Sequence, residues 1–379
     1  MARAASRLVA GLCLLAALAA LAGCATGTAA TGRTDGLHAV GQPHEAGTTF
    51  VGSVDTMKLS RDRAGSLSSA EVNRVVDLLA GSMSVTDITV DSPMERPSAI
   101  QAWANRIHAD GKHVWFRLMS TTCDQPHGDL GDGYPNYRPG YLTKLHELIR
   151  THPGFFRPGD ILDGDPEAES SCWWASHYGC GVQSACRRCG LTVVKIPCAP
   201  VRQFNDFLVT MTKQENIDLA ALGIAGVATN VHATDPGTAM HILTAAVVRS
   251  MHNLITVDAY PDARTTLPAV AVNAWRTNLA EWHQTWLNRG LDVSILVGEW
   301  GYCNGLNVDN ATQQAVIRAE TTEAFMSAPS YLVGTNYWVG PGGPGDGGYT
   351  EVLRPVNGEW RLRPAASTIS SFYAAMYRR

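Results

Sequence analysis

The chain has 379 residues, of which 45% are apolar and 17% are charged, and its formal net charge is −4 at pH 7. A chain of this length fits one large barrel or two ordinary domains. The low charge, the apolar fraction and the 10 Trp exclude a disordered protein and indicate a sizeable core. The sequence has no block of Lys and Arg that could displace counterions from a phosphate backbone, which argues against nucleic acid as a partner.

The first 23 residues have the composition of an export signal peptide. Two arginines precede an apolar run at 8–22, which is shorter than the roughly 20 residues that a membrane-spanning helix needs. The run leads into Leu-Ala-Gly-Cys at 21–24, which resembles the lipobox of bacterial lipoproteins. This resemblance implies cleavage before Cys24, acylation of its thiol and a lipid anchor in the membrane at the cell envelope or surface. Ordinary secretion is the alternative. Small and polar residues at 24–46 predict a flexible tether.

The remainder, residues 47–379, is predicted to form one domain of alternating strands and helices. Eight short β-rich runs recur along it, and their starts are separated by 28 to 64 residues, which leaves room for crossover helices. The runs are Thr49–Val54, Val85–Val90, His113–Leu118, Asp160–Leu162, Ile224–Val231, Leu254–Val257, Val293–Val297 and Leu332–Trp338. Strands of this kind favour parallel pairing, and eight of them predict an α/β fold, a closed (β/α)8 TIM barrel. An open doubly wound sheet is the alternative.

Two intervening segments have a clear helical pattern. The apolar residues at 72, 75, 76 and 79 recur with helical spacing, and Ser68 with Glu71 forms a capping box before them. The same spacing recurs from Ile100 to Ile107, opened by Pro97. Further helices are predicted at 141–151, 201–215, 238–252, 268–289, 311–327 and 366–377.

Nine cysteines are present, and five of them lie in a Cys-rich excursion at 171–199, after the fourth strand: Cys172, Cys180, Cys186, Cys189 and Cys198. Outside the cytoplasm, such a cluster is typical of disulfides. A structural zinc site that uses Cys186-x-x-Cys189 is the alternative. Cys123 and Cys303 both follow predicted strands and could meet in space. The histidines are scattered without a pair at metal-ligand spacing, and we expect no catalytic metal or cofactor.

Polar residues collect at the C-terminal ends of the predicted strands, where barrel enzymes have their active sites. The segment after strand four contains Asp163, Asp165, Glu167 and Glu169. Strand seven runs directly into Gly298-Glu299-Trp300-Gly301. Other polar or aromatic residues at strand ends are Arg117, Asn230, His232, Asp258, Tyr260, Asn336 and Trp338.

Carboxylates on strands four and seven would face each other across the barrel mouth. Retaining glycoside hydrolysis requires this arrangement: one carboxylic acid protonates the leaving oxygen, and a carboxylate about 5–5.5 Å away attacks the anomeric carbon. Their environments must differ, because one must be neutral and the other ionised at the same pH.

The pattern resembles the clan of retaining barrel glycoside hydrolases that includes cellulases, mannanases and β-galactosidases. That clan places its acid/base Glu after strand four, usually in Asn-Glu-Pro, and its nucleophile after strand seven, often in Gly-Glu-Phe/Trp-Gly. The residues at 298–301 match the second motif. At strand four, Pro166-Glu167-Ala168 replaces Asn-Glu-Pro, which puts the usual contact of the Asn to the sugar 2-hydroxyl in doubt.

The resemblance implies that Glu299 is the nucleophile and Glu167 the acid/base, with Glu169 or Asp165 as alternatives for the acid. The expected substrate-binding residues are Tyr260, Trp338, Asn336, His232, Arg117, Asp165, Trp300 and Trp173. Tyr260 would donate a hydrogen bond to the nucleophile, and Trp338 would be a platform for a sugar ring. Trp173 could line a sugar subsite or pack the Cys-rich excursion.

The sequence therefore predicts an exported, lipid-anchored glycosidase that acts on a β-linked poly- or oligosaccharide with retention. A glycan-binding barrel that has lost its chemistry is one alternative, motivated by the departure at Pro166. A lyase or a transglycosidase on the same barrel is the other.

Overall fold

The structure is a computed structural model and describes residues 50–119, 139–165, 199–222, 228–233, 244–258, 267–302, 309–342 and 350–378. The predicted signal peptide, the tether, nearly all of the Cys-rich excursion and every cysteine lie outside these residues. Among the described residues, no helix combines the length and the apolar character that crossing a bilayer requires.

Eight parallel strands pair in sequence order, and the eighth pairs with the first, which closes the barrel. The strands are β1 Val51–Asp55, β2 Asp87–Pro93, β3 His113–Met119, β4 Ile161–Asp165, β5 Ala228–Ala233, β6 Leu254–Asp258, β7 Ser294–Trp300 and β8 Leu332–Tyr337. Each coincides with or overlaps a predicted run. The predicted parallel barrel is therefore confirmed over the described residues.

Helices lie between the strands. Their bounds are α1 Met57–Ser60, α2 Ser69–Ser82, α3 Pro97–Ala109, α4 Pro139–Thr151, α5 Ala199–Ala221, α6 Ala245–Ser250, α7 Pro268–Leu287, α8 Asn310–Ala319 and α9 Ala365–Met376. A 3-10 turn at Pro153–Phe155 follows α4, and a π-helical turn at Glu320–Phe325 follows α8. The antiparallel hairpin of β9 Leu353–Val356 and β10 Glu359–Leu362 is an element that the sequence reasoning missed.

The N-terminus of α2 shows why the sequence pattern identified this helix correctly. The Ser68 hydroxyl accepts a hydrogen bond from the Glu71 amide at 3.2 Å, and the Glu71 carboxylate accepts one from the Ser68 amide at 3.2 Å. This reciprocal capping box satisfies two amide donors that a helix end leaves unpaired. The predicted apolar face of α2, from Val72 to Leu79, is buried against the barrel.

The interior of the barrel is closed by a small apolar layer beneath the mouth. It consists of Val51, Trp115, Ile161, Leu254 and Leu296, all buried. Gly334 lies against this layer, and a Cβ on it would stand 2.6 Å from the Val51 Cβ and 2.7 Å from Leu296. A larger residue would not fit there, because protein interiors are close-packed. Polar side chains begin directly above this layer, toward the C-terminal ends of the strands.

Candidate active site

A β-bulge in β7 directs Glu299 into the barrel mouth. Leu296 faces the apolar layer inside the barrel, so strict alternation would also turn residues 298 and 300 inward. The pairing with β6 instead passes from Val257–Val297 to Asp258–Glu299, which leaves Gly298 as an extra residue in β7. A bulge of this kind reverses the alternation beyond it. Glu299 consequently points inward and Trp300 points outward.

Glu299 meets Arg117 across the mouth. Arg117 lies on β3, and β3 and β7 are on opposite sides of an eight-stranded barrel. Its Nη1 donates a hydrogen bond to Glu299 Oε1 at 2.5 Å. The Arg117 side chain is only 2% exposed, whereas that of Glu299 is 12% exposed. Charge-assisted bonds of this length are among the strong ones, so Arg117 both orients Glu299 and stabilises its ionised form.

Two further carboxyl groups face the same guanidinium. Asp55, at the end of β1, accepts a hydrogen bond from Arg117 Nη1 at 3.2 Å. Asp91, on β2, has a carboxylate oxygen 3.7 Å from Arg117 Nε. Both are almost completely buried. Burial raises the pKa of Asp91 well above its usual range and outweighs the opposing effect of Arg117, while nearby Asp55 adds to the rise. The shift favours a protonated, uncharged Asp91.

Beneath these charges lies a network of hydrogen bonds around Asn336 on β8. The Asn336 amide group donates to Asp55 Oδ2 at 3.1 Å and to the carbonyl of Gly298 at 2.8 Å. Its carbonyl accepts from the Thr89 hydroxyl at 2.9 Å, and that hydroxyl contacts Ser53 Oγ at 2.8 Å. The network ties β1, β2, β7 and β8 together below Glu299.

Three residues that were expected to bind the substrate contact other protein groups in the structure. Arg117 and Asn336 are buried and bind protein groups, so their observed contacts support Glu299 rather than a substrate. The Trp300 ring has no exposed surface and packs edge-on against Phe325 and Tyr337, with centroids 5.0 Å apart in both pairs. The interpretation of Trp300 as a sugar-binding residue therefore gives way to a packing role, and the physical reason is the bulge at Gly298.

Trp338 lies at the mouth, directly after β8, and is partly buried. The Lys58 ammonium stands 5.8 Å from the centroid of its ring. Its backbone amide donates to the carbonyl of Trp300 at 2.8 Å, and its peptide bond to Val339 is cis. A Cβ at Gly301 would approach the Trp338 carbonyl oxygen to 2.5 Å, so glycine is needed for this close contact. The position of Trp338 is compatible with the predicted sugar platform.

The other predicted site residues lie on parts of the chain that the structure does not describe. Glu167, Glu169, Tyr260 and Trp173 are outside the described residues, as are the side chains of Asp165 and His232. The register of the barrel nevertheless pairs Asp163 on β4 with Arg117, and β4 ends at Asp165. The chain thus leaves β4 at the same end of the barrel as Glu299.

Sequence reasoning missed Asp55 and Asp91, although a signal for both was present. Each is an acid that directly follows a predicted apolar run, much as Glu299 follows one with only Gly298 between them. Applying the same rule to strands one and two would have identified them. Over the described ranges, no three His, Cys, Asp or Glu side chains are arranged to hold a metal ion.

Comparisons with known proteins are informative at the level of fold. No model of a protein family matches the sequence, and a comparison with curated proteins gives no match. Among solved structures, the chain is similar to GH5_18 from Streptomyces cattleya in complex with GlcNAc, with 14% identity, a TM-score of 0.58 and coverage of 88% of this chain and 81% of that chain.

Two other solved structures are comparably similar. One is a β-glucosidase 1317, with 14% identity, a TM-score of 0.52 and coverage of 81% of this chain and 89% of that chain. The other is a modular endo-β-1,4-mannanase from Cellulomonas fimi, with 12% identity, a TM-score of 0.51 and coverage of 86% and 70%. The chain therefore has the barrel fold that several glycoside hydrolases have.

Proposed function

We propose that the protein is a glycoside hydrolase that cleaves a β-linked poly- or oligosaccharide with net retention. The observation that carries the proposal is Glu299, a partly exposed carboxylate at the C-terminal end of β7, held at 2.5 Å by a buried guanidinium. Active sites of such barrels lie at this end. The fold shared with several glycosidases supports the same interpretation.

The proposed reaction is a double displacement. Glu299 attacks the anomeric carbon as the glycosidic C–O bond breaks, and Glu167 gives its proton to the leaving oxygen. A covalent glycosyl ester results. Glu167, now ionised, then takes a proton from a water molecule that attacks the same carbon and releases Glu299. Arg117 keeps Glu299 ionised and fixed in direction, and no metal or cofactor takes part.

The remaining roles at the mouth are proposals of the same kind. Trp338 offers an indole face to a sugar ring, and Tyr260, Trp173 and His232 are proposed to contact the substrate. The acid after strand four is assigned to Glu167, with Glu169 and Asp165 as the alternatives. Aryl glycosides with good and poor leaving groups distinguish them, because a variant without the acid loses activity mainly on the poor leaving group.

The test of the nucleophile uses Glu299→Gln and a panel of dinitrophenyl β-glycosides together with their 2-deoxy-2-fluoro analogues. We expect one fluoroglycoside to label the wild-type protein at Glu299, as seen by peptide mass spectrometry, and the variant to remain unlabelled. Glu359→Gln, which alters an exposed glutamate on β10, is the matched control and should be labelled normally. Turnover by Glu299→Gln at nearly the wild-type rate would refute the assignment.

The alternatives differ from hydrolysis in whether a product forms and in what that product is. A glycan-binding barrel without chemistry is motivated by Pro166-Glu167-Ala168 at strand four, and it would bind glycans across a broad panel without releasing sugar. A transglycosidase would move the glycosyl group to a second sugar, and a lyase would leave a double bond. Proton NMR of the first product formed separates these outcomes from hydrolysis with retention.

We also propose that the protein is exported and lipid-anchored through Cys24. The proposal is supported by the signal-like segment and by Leu-Ala-Gly-Cys at 21–24. Metabolic labelling with an alkyne fatty acid tests it. The wild-type protein should take up the label and partition into the membrane fraction, and Cys24→Ala should do neither.

A further inference from the structure

Asp55 contacts two groups that position Glu299, and we call these groups its two supports. One is the Arg117 guanidinium, and the other is the Asn336 amide, which binds the bulge in β7. It is completely buried at the end of β1, so its carboxylate meets protein groups rather than solvent. Its Oδ1 accepts a hydrogen bond from the Met57 amide at 2.6 Å, which fixes the carboxylate at the start of α1. Its Oδ2 accepts two hydrogen bonds, one from Arg117 and one from Asn336.

The first support is the guanidinium. Arg117 Nη1 donates to Asp55 at 3.2 Å and to Glu299 at 2.5 Å, so one nitrogen bridges the two carboxylates. An arginine side chain has several rotatable bonds and loses considerable entropy when it is held in one geometry. Asp55, anchored by the Met57 amide, restrains the guanidinium through the same nitrogen that binds Glu299.

The second support is the bulge in β7. The Asn336 amide nitrogen that donates to Asp55 also donates to the carbonyl of Gly298 at 2.8 Å. Gly298 is the extra residue that turns Glu299 inward. Asp55 therefore acts on the backbone that carries Glu299 as well as on its side-chain partner.

We propose that Asp55 is a positioning residue that fixes the orientation of Glu299 through Arg117 and through the Asn336–Gly298 contact. Its catalytic consequence rests on the function proposed above, whereas its structural consequence does not. The other charged groups around this point are Asp91 on β2, Arg61 directly after α1 and Asp163 on β4.

Asp55→Asn tests the proposal with a change of only one atom in the side chain. The amide can still accept a hydrogen bond, but it no longer carries the charge that binds Arg117. We expect Arg117 Nη1 to move beyond hydrogen-bonding distance of Glu299 Oε1, or to occupy two positions. Small misplacements of a reacting group slow reactions by roughly 10²-fold. The variant should be labelled about that much more slowly by the fluoroglycoside, with an unchanged half-saturating concentration.

The matched control is Asp87→Asn. Asp87 is a buried aspartate at the N-terminal end of β2, and burial raises its pKa to about 7. It therefore reports what the same substitution does to a buried carboxyl group far from the mouth. Crystal structures and labelling kinetics are measured for both variants, and thermal unfolding confirms that each is folded.

The crystal structures test the positioning role of Asp55, and the labelling kinetics test the proposed glycosidase function. A broken Arg117–Glu299 hydrogen bond with slowed labelling in Asp55→Asn, and neither effect in Asp87→Asn, supports both the positioning role and the glycosidase proposal. A broken Arg117–Glu299 bond in a protein whose wild-type form no fluoroglycoside labels supports the positioning role and refutes the glycosidase proposal. A crystal structure with the Arg117–Glu299 bond intact overturns the positioning role, whatever the kinetics. If Asp55→Asn does not fold, Asn336→Ser removes the contact that joins Asp55 to the Gly298 carbonyl. A Glu299 side chain that keeps its position and its labelling rate in that variant overturns the role of this contact.

Discussion

Replacing Arg117 with methionine should destabilise the protein in a way that depends on pH. Methionine keeps much of the apolar stem of arginine and fills irregular spaces well, so the substitution mainly removes the charge. Within the part of the chain that the structure describes, three carboxyl groups then surround the former guanidinium position: Glu299, Asp55 and Asp91. Two of them, Asp55 and Asp91, are almost fully buried. The desolvation of the Asp55 carboxylate is then no longer compensated by an opposite charge, and the proton that burial favours on Asp91 is held more strongly.

The distances in the structure set the expected loss in the free energy of unfolding. The nearest carboxylate oxygens lie 2.5, 3.2 and 3.7 Å from Arg117 nitrogens. Two unit charges about 4 Å apart interact by roughly 4 kcal/mol at an effective dielectric constant of about 20. Removing one partner of a buried pair typically costs about 3–5 kcal/mol. We therefore expect Arg117→Met to lower the free energy of unfolding by about 4 kcal/mol at pH 8.

The sign of the pH effect follows from proton binding. Without Arg117, the clustered carboxyl groups hold protons in the folded state that they release on unfolding, so the stability of the variant falls as pH rises. The slope is about 1.4 kcal/mol per pH unit for each proton. The loss measured at pH 5.5 should therefore be smaller than that at pH 8 by at least about 1 kcal/mol.

Urea unfolding followed by tryptophan fluorescence at pH 5.5 and pH 8 measures both quantities. Arg106→Met is the control, because Arg106 makes its ion pairs with Asp77 and Asp110 at the surface. Exposed pairs contribute about 0–1 kcal/mol, so this variant should change little at either pH. A cost below about 1 kcal/mol for Arg117→Met, equal at both pH values, would refute the account of a guanidinium that compensates buried carboxylates.

Three further predictions concern the scaffold. Burial raises the pKa of Glu320 to about 8, so ionising this carboxyl costs stability as pH rises; Glu320→Gln should stabilise the protein by a few kcal/mol at pH 9 and by much less at pH 6, measured by thermal unfolding. Gly301→Ala should cost about 1–3 kcal/mol in urea, because its Cβ would strike the Trp338 carbonyl oxygen. Ser68→Ala should cost about 1 kcal/mol through the lost capping box, and an unchanged stability would contradict that role.

The sequence predicted the barrel well because its signals are local and repeated. Apolar runs without alternation indicate strands buried on both faces, and each observed strand overlaps such a run. The α2 cap was predicted because Ser68 and Glu71 have the spacing that the hydrogen bonds require. The hairpin of β9 and β10 was missed because three of the eight residues in its strands are charged and each strand has only four residues.

The alternation of inward and outward side chains along a strand did not predict which way the residues after the bulge point. Alternation from Leu296 places Trp300 inside the barrel, and a tryptophan beside a glutamate invites interpretation as a sugar platform. The extra residue at Gly298 instead turns Glu299 inward and Trp300 outward. A glycine in a strand hints at a bulge, but only the pairing with β6 and β8 shows whether one is present. The same bulge explains the burial of Trp300 and the inward position of Glu299.

The balance of charges at the barrel mouth could not be predicted from the sequence, because it depends on which side chains meet in space. A neighbouring cation favours the ionised form of a partly buried carboxyl group. Here one guanidinium is shared among Glu299, Asp55 and Asp91, and burial favours a proton on Asp91. Among the described residues, the charge of Arg117 is thus divided mainly between the carboxylates of Asp55 and Glu299. Arg117 therefore stabilises the ionised form of Glu299 and fixes its orientation through the short hydrogen bond between them.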